Sequence, residues 1–140
     1  MGRILAIDYG QKRTGLAVTD PLGIIAGGLD TVDTVSLWEY LERYIATEPV
    51  DKIVVGKPTQ LNGEDSENMK RITPFVNRWK KNHPEIPIEM YDERFTSVLA
   101  HKVILESGIG RKARQNKALV DKISATIILE EFLQAKQLTK

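Results

Sequence analysis

The chain contains no cysteine and only two histidines. The missing thiols exclude disulfides, thiolate metal sites and cysteine nucleophiles, and are compatible with a reducing compartment. His83 stands before Pro84 in a loop and His101 on a helix, so both are expected at the surface and neither suits general-base work. No apolar run approaches the ~18 residues of a membrane span, and Met1-Gly2-Arg3 leads straight into a strand without a signal-like region. The expected location is therefore the cytoplasm. No Ser/Gly/Pro-rich linker, internal repeat or low-complexity segment divides the 140 residues. One domain over 1–140, with one core, is the expectation. A net charge of +1 does not mark a nucleic-acid binder, so any basic surface must come from where the charges lie. Aromatics make up 6% of the chain and form no row along it that offers a stacking platform. Nucleic-acid binding would then depend on backbone charge and shape more than on base readout.

What is present begins with Ile4-Leu5-Ala6-Ile7-Asp8 and Thr14-Gly15-Leu16-Ala17-Val18-Thr19, two apolar strands joined by a polar turn with Gly10. Asp8 stands where the first apolar run stops. It has left the buried part of its strand but is held by a rigid element, which suits a metal or phosphate site. Gly23 to Val32 predicts a third strand, its Gly27-Gly28 pair marking a bulge or a close approach. Short connections make these three strands antiparallel neighbours. Ser36 and Glu39 form a capping-box pattern ahead of Leu37, Leu41, Tyr44 and Ile45 at helical spacing. Lys52 to Gly56 is a β-branched run of the doubly buried parallel kind. Met69, Ile72, Val76 and Trp79 mark a second helix, which Pro74 either kinks or starts with Thr73 as cap. Ile86 to Tyr91 is an edge strand because of Pro87. Thr96 to Gly108 predicts a further helix, and Asn116 to Gln137 a long amphipathic one.

These elements predict an α/β fold: a mixed five-stranded sheet, three antiparallel strands and then two parallel ones, flanked by helices. Ligands of such sheets gather beyond the carboxyl ends of the parallel strands. Asp8, Gly56-Lys57-Pro58 and Asp92-Glu93-Arg94 stand at those ends. On the last helix Asp121 shares a face with Ser124, Ala125, Ile128, Leu129 and Phe132, so this carboxylate points inward. An inward carboxylate is costly unless it is paired or binds a cation. A buried salt bridge to Arg13 or Arg94 is the structural explanation, and a cation site near Asp8 is the functional one. Arg111, Lys112, Arg114, Lys117 and Lys122 fall within a stretch whose single acid is Asp121. That is either a phosphate-neutralising cluster or a solvated loop and helix face.

Asp8-Tyr9-Gly10 with Arg13 and Gly15, Gly56-Lys57-Pro58 with Asn62-Gly63, Asp92-Glu93-Arg94 with Thr96, and Asp121 within Asp121–Leu129 resemble, in order and separation, the motif set of the YqgF/RuvX family. The resemblance covers nearly the whole chain. One departure is Ser124, where the family commonly has alanine. The resemblance implies the RNase H-like fold of Holliday junction resolvases and a nuclease maturing the 5′ end of pre-16S rRNA, or a resolvase of four-way DNA junctions. It implies Mg²⁺ or Mn²⁺ held by oxygen ligands, with Asp8 the central carboxylate, Asp121 the helix carboxylate and Glu93 the third. Two such ions about 4 Å apart activate water and stabilise the leaving oxygen. Glu93 is preferred over Asp92 because the fifth strand lies two places, roughly 10 Å, from the first and the longer side chain reaches better. Asp92 is then a supporting group or the cap of the following helix. Phosphate contacts are expected from Arg13, Arg94, Arg111, Lys112, Arg114, Lys117 and Lys122. The expected partner is precursor rRNA or branched DNA, bound by a monomer or a homodimer. Two other classes fit parts of the pattern: an ATP-binding phosphotransferase, against which the absence of a second domain argues, and a nucleic-acid-binding module without catalysis.

Overall fold

The computed structural model describes residues 2–57, 69–92 and 117–138; for 57, 92, 117–121 and 135–138 the description is of the backbone. Five strands form one sheet: β1 (Arg3–Asp8), β2 (Arg13–Thr19), β3 (Ala26–Asp33), β4 (Val50–Lys57) and β5 (Ile88–Asp92). A 3₁₀ turn (Thr34–Ser36) leads into α1 (Leu37–Thr47), and α2 (Met69–Asn82) and α3 (Lys117–Leu138) complete the described elements. The strand order is β3-β2-β1-β4-β5. β1–β2 and β2–β3 are antiparallel, whereas β1–β4 and β4–β5 are parallel. The expected topology is thus the observed one, with β5 at an edge directly after Pro87. The helix expected over Thr96–Gly108 lies outside the described residues.

Alternation along β1 divides the core in two. Leu5 and Ile7 face the layer of α1 and α2, where Leu16, Ile53 and Val55 meet Leu37, Leu41, Ile72, Phe75, Val76 and Trp79. Ile4 and Ala6 face α3, where Ala17 and Val54 meet Ala125, Ile128, Leu129 and Phe132. β1 is therefore covered on both sides, which is why its residues 4–7 are uniformly apolar. Trp79 is fully buried, and its indole N–H donates to the Ile86 carbonyl at 3.1 Å, so the largest core side chain leaves no polar atom unpaired. Small residues lie beneath α3. A Cβ on Gly28 would stand 2.7 Å from Lys122 Cγ, so the glycine permits the helix to lie this close to β3. The expected bulge is also present, because Leu16 pairs with Asp30 and Ala17 with Gly28, leaving Leu29 without a paired residue.

Three local expectations change. β3 starts at Ala26 rather than Gly23, because Asp20 Oδ1 accepts the backbone N–H groups of Ile24 (2.8 Å) and Ile25 (2.9 Å). Those donors close a loop through Gly23, at φ +71°, instead of joining the ladder. The same two hydrogen bonds, Ile25 first, hold the Asp20 carboxyl below its ordinary pKa. Ser36 makes no side-chain capping bond; its backbone is already helical (φ −99°, ψ −1°) because the 3₁₀ turn feeds α1 without an extended cap residue. Thr73 does not cap α2 either. Pro74 lies inside the helix, and Thr73 Oγ1 donates back to the Met69 carbonyl at 2.9 Å.

Candidate active site

Asp8 closes β1 opposite Gly15 of β2. It falls in the same alternation as Ile4 and Ala6, so it stands on the sheet face that α3 covers, half-buried at the edge of that core. The parallel register continues the row. Ile7 pairs with Val55, Gly56 with Tyr91 and Lys57 with Asp92, so the carboxyl ends of β1, β4 and β5 terminate together. Asp92 is placed there as the last residue of β5. Glu93, Arg94, Arg111, Lys112 and Arg114 lie outside the described residues.

On α3 the backbone of Asp121 stands one turn ahead of Ala125, which is fully buried, and three residues ahead of Ser124, which is 4% exposed. The helical phase read from the sequence is the one that packs at Ser124, Ala125, Ile128 and Leu129. Lys122 lies across β3 through its aliphatic stem beside Gly28, and Lys117 is the first residue of the helix. Arg13 opens β2, half-buried, paired in register with Asp33. Among the described residues no three His, Cys, Asp or Glu side chains come together as a metal set; Asp8 is the expected ligand whose side chain is placed. Its chemistry, an oxygen donor on a rigid strand end, fits a hard divalent cation.

The turn between Asp8 and Arg13 is held by a residue that the motif reading did not single out. Thr34 Oγ1 donates to the Gly10 carbonyl at 2.7 Å and lies 2.9 Å from Thr14 Oγ1, while the Thr34 backbone N–H donates to the Lys12 carbonyl at 2.9 Å. Thr14 is fully buried. Thr34→Val keeps the shape but leaves the Gly10 carbonyl and the Thr14 hydroxyl without this partner. A loss of about 1–3 kcal/mol in urea denaturation is expected, and Thr34→Ser should recover most of it. Nothing in the local sequence signals this brace, which joins positions 24 residues apart.

His83 also differs from expectation. It is not a surface residue: its side chain is 13% exposed, its ring tilted 33° against Trp79 with centroids 4.3 Å apart, and Nε2 lies 2.6 Å from Glu42 Oε1. It packs with the α1–α2 layer, on the sheet face opposite α3, and not beside Asp8. His101 lies outside the described residues.

A sheet in this order, with a carboxylate ending its central strand and a helix laid across the same face, defines an RNase H-like fold of the resolvase type. The Fowlpox virus resolvase shares it. Its complex with Holliday junction DNA aligns at a TM-score of 0.59 and 12% identity over 95% of this chain and 97% of that one. A second structure of the Fowlpox virus Holliday junction resolvase aligns at 0.56 and 15% identity, covering 95% and 99%. The chain belongs to the RuvX family: the family model described as "RuvX: Holliday junction resolvase" matches residues 2–135. A relative in Phocaeicola vulgatus named "Putative pre-16S rRNA nuclease" is 59% identical over 98% of this chain and 99% of its own. One of the same name in Flavobacterium psychrophilum is 51% identical over 97% and 99%.

Proposed function

We propose that this protein is a divalent-metal-dependent endonuclease that processes the 5′ end of pre-16S rRNA. The observation carrying the reading is the position of Asp8, at the end of the central strand on the face crossed by the helix that bears Asp121. The full-length relatives named as pre-16S rRNA nucleases support the choice of substrate.

Asp8, Asp121 and Glu93 hold Mg²⁺ or Mn²⁺ in this proposal, with Asp92 supporting. When bound, the ions supply an activated water and charge neutralisation at the leaving oxygen. The protein's own part is to fix the carboxylates and the phosphate. β1 holds Asp8 from both core layers, and the Thr34-braced turn joins it to Arg13, which lies on β2 two residues before Gly15, the register partner of Asp8. Arg13, Arg94 and the basic run Arg111, Lys112, Arg114, Lys117 and Lys122 take the phosphates. The 140 residues act as one domain in the cytoplasm; among the described residues no helix is long and apolar enough to cross a membrane.

A second reading, cleavage of a four-way DNA junction, is favoured by the family's description and by the Fowlpox virus complex. A symmetric junction calls for a two-fold dimer, whereas trimming one RNA end needs a single site. The deciding experiment presents labelled 5′-extended pre-16S rRNA and a four-way junction side by side with Mg²⁺, Mn²⁺ or EDTA. Metal-dependent cutting of the RNA, absent in EDTA, is expected. Cutting of the junction alone moves the assignment to a resolvase. Binding without cutting under every condition overturns the catalytic reading in favour of a binding module.

A further inference from the structure

A cleft of about 280 Å³ opens between the Thr34–Ser36 turn, α1 and α2, on the sheet face opposite α3. Its walls include Tyr9, Trp38, Arg71, Phe75 and Arg78, and no carboxylate is among its described lining residues. Arg71 and Arg78 are exposed and stand seven residues, two turns, apart on one face of α2. The Arg78 guanidinium lies over the Trp38 ring, 3.9 Å from its centroid. Trp38 in turn packs edge-on against Phe75 (6.1 Å) and Trp79 (5.7 Å), and Tyr9 leans on Phe75 at 5.5 Å. Phe75 and Trp79 belong to the core, so the aromatic floor is rigid.

A guanidinium lying on Trp38 and a second exposed arginine lining the same cleft, with no acid among the described lining residues, complement a phosphate attached to a flat base. Bases stack on aromatic rings and on guanidinium planes, and arginine clamps the neighbouring phosphate. The cleft lies on the other face of the sheet from Asp8 and reaches the turn after β1 at its rim. Tyr9 directly follows Asp8, and Thr34, another lining residue, holds the Gly10 carbonyl. A stacking surface was not expected from the sequence because its parts lie at positions 9, 38 and 75; the fold assembles them.

We propose that this cleft is a subsite for an unpaired nucleotide flanking the cut. Its base lies against the Arg78–Trp38 stack and its phosphate is taken by Arg71. A base held in a duplex cannot enter such a cleft, so the preferred substrate carries a single-stranded flank next to the scissile bond. The location of the cut rests on the nuclease reading above; binding in the cleft does not.

The test uses the full chain and a single-stranded oligoribonucleotide bearing 2-aminopurine, titrated in EDTA so that binding is read apart from cleavage. Wild type should quench the fluorophore. The variant Arg71→Ala with Arg78→Ala should bind roughly tenfold or more weakly and lose the quench. Arg71→Ala alone, which leaves the Trp38 contact intact, should weaken binding several-fold. Lys80→Ala with Lys81→Ala removes the same charge from exposed sites on α2 outside the cleft and should match wild type. In cleavage assays the double arginine variant should raise KM about tenfold for a substrate with an unpaired flank, with kcat within about twofold, and leave a fully paired substrate unaffected. Quenching without cutting by wild type sinks the nuclease reading and supports the subsite. Cutting by wild type with the same quench and KM in the arginine and lysine variants overturns the subsite and leaves the nuclease standing.

Discussion

Asp8→Asn should reduce metal-dependent cleavage by on the order of 10³-fold, about 4 kcal/mol of transition-state stabilisation, while thermal denaturation by circular dichroism stays within a few degrees of wild type. The substitution keeps the shape of the side chain and removes its charge. Asp8 is the last residue of β1 and is half-buried, beyond the fully buried Leu5, Ala6 and Ile7, so the change leaves the packed part of the strand untouched. An amide oxygen is a poorer ligand for a hard divalent cation than a carboxylate, and it cannot compensate the cation's charge. Titration calorimetry with Mn²⁺ should show the matching loss of affinity. A variant that keeps more than a tenth of the wild-type rate would remove Asp8 from the centre of the proposed site. Asp121→Asn run beside it separates two roles for that residue. Loss of cleavage with intact stability places it at the metal, and a large fall in melting temperature instead assigns it to a buried ion pair.

The parts of this molecule that were legible in the sequence are those governed by neighbours in the chain. The apolar runs of β1 and β4 specify doubly covered strands because an unbroken apolar run leaves neither face for water, and residues 4–7 and 53–55 are all buried. The phase of α3 was legible for the same reason: Ser124, Ala125, Ile128 and Leu129 repeat at helical spacing, and all four are buried. Asp8 stood out because it ends an apolar run. What was not legible depends on pairs distant in the chain. The Ser36–Glu39 pattern satisfies the spacing of a capping box, yet the capping bond is absent, since the preceding 3₁₀ turn sets the backbone of Ser36. The Thr34 brace joins a helix entry to a strand turn, and the cleft joins Tyr9, Trp38 and Phe75. His83 looked like a surface residue from its place in a loop before Pro84; only the fold brings Glu42, 41 positions away, beside it.

Gly10→Ala should damage both the fold and the site, through one methyl group. A Cβ at residue 10 would run into the Arg13 carbonyl oxygen, well inside van der Waals contact. The atom it meets is backbone, so no flexible side chain can move aside. The turn itself must open. Its opposite side is anchored where Thr34 Oγ1 binds the Gly10 carbonyl and the Thr34 N–H binds the Lys12 carbonyl. Relief of the clash therefore means giving up one of those bonds or shifting Arg13 out of register with Asp33. Overpacking of this kind costs about 1–3 kcal/mol, and urea denaturation should show a loss in that range with an unchanged m-value. Because the turn links Asp8 to Arg13, cleavage should fall further than stability alone accounts for. A drop on the order of 10²-fold is expected under conditions where the variant is fully folded, in line with the cost of misplacing a catalytic group by about 1 Å. Gly28→Ala supplies the contrast. Its added methyl meets Lys122 Cγ, a side-chain atom and not backbone, so Lys122 or α3 shifts while the turn stays closed, and any loss of cleavage should stay within that of Lys122→Ala. If both glycine variants cleave like wild type, the turn does not position the catalytic groups, and the proposed role of its glycine and of Thr34 falls with it.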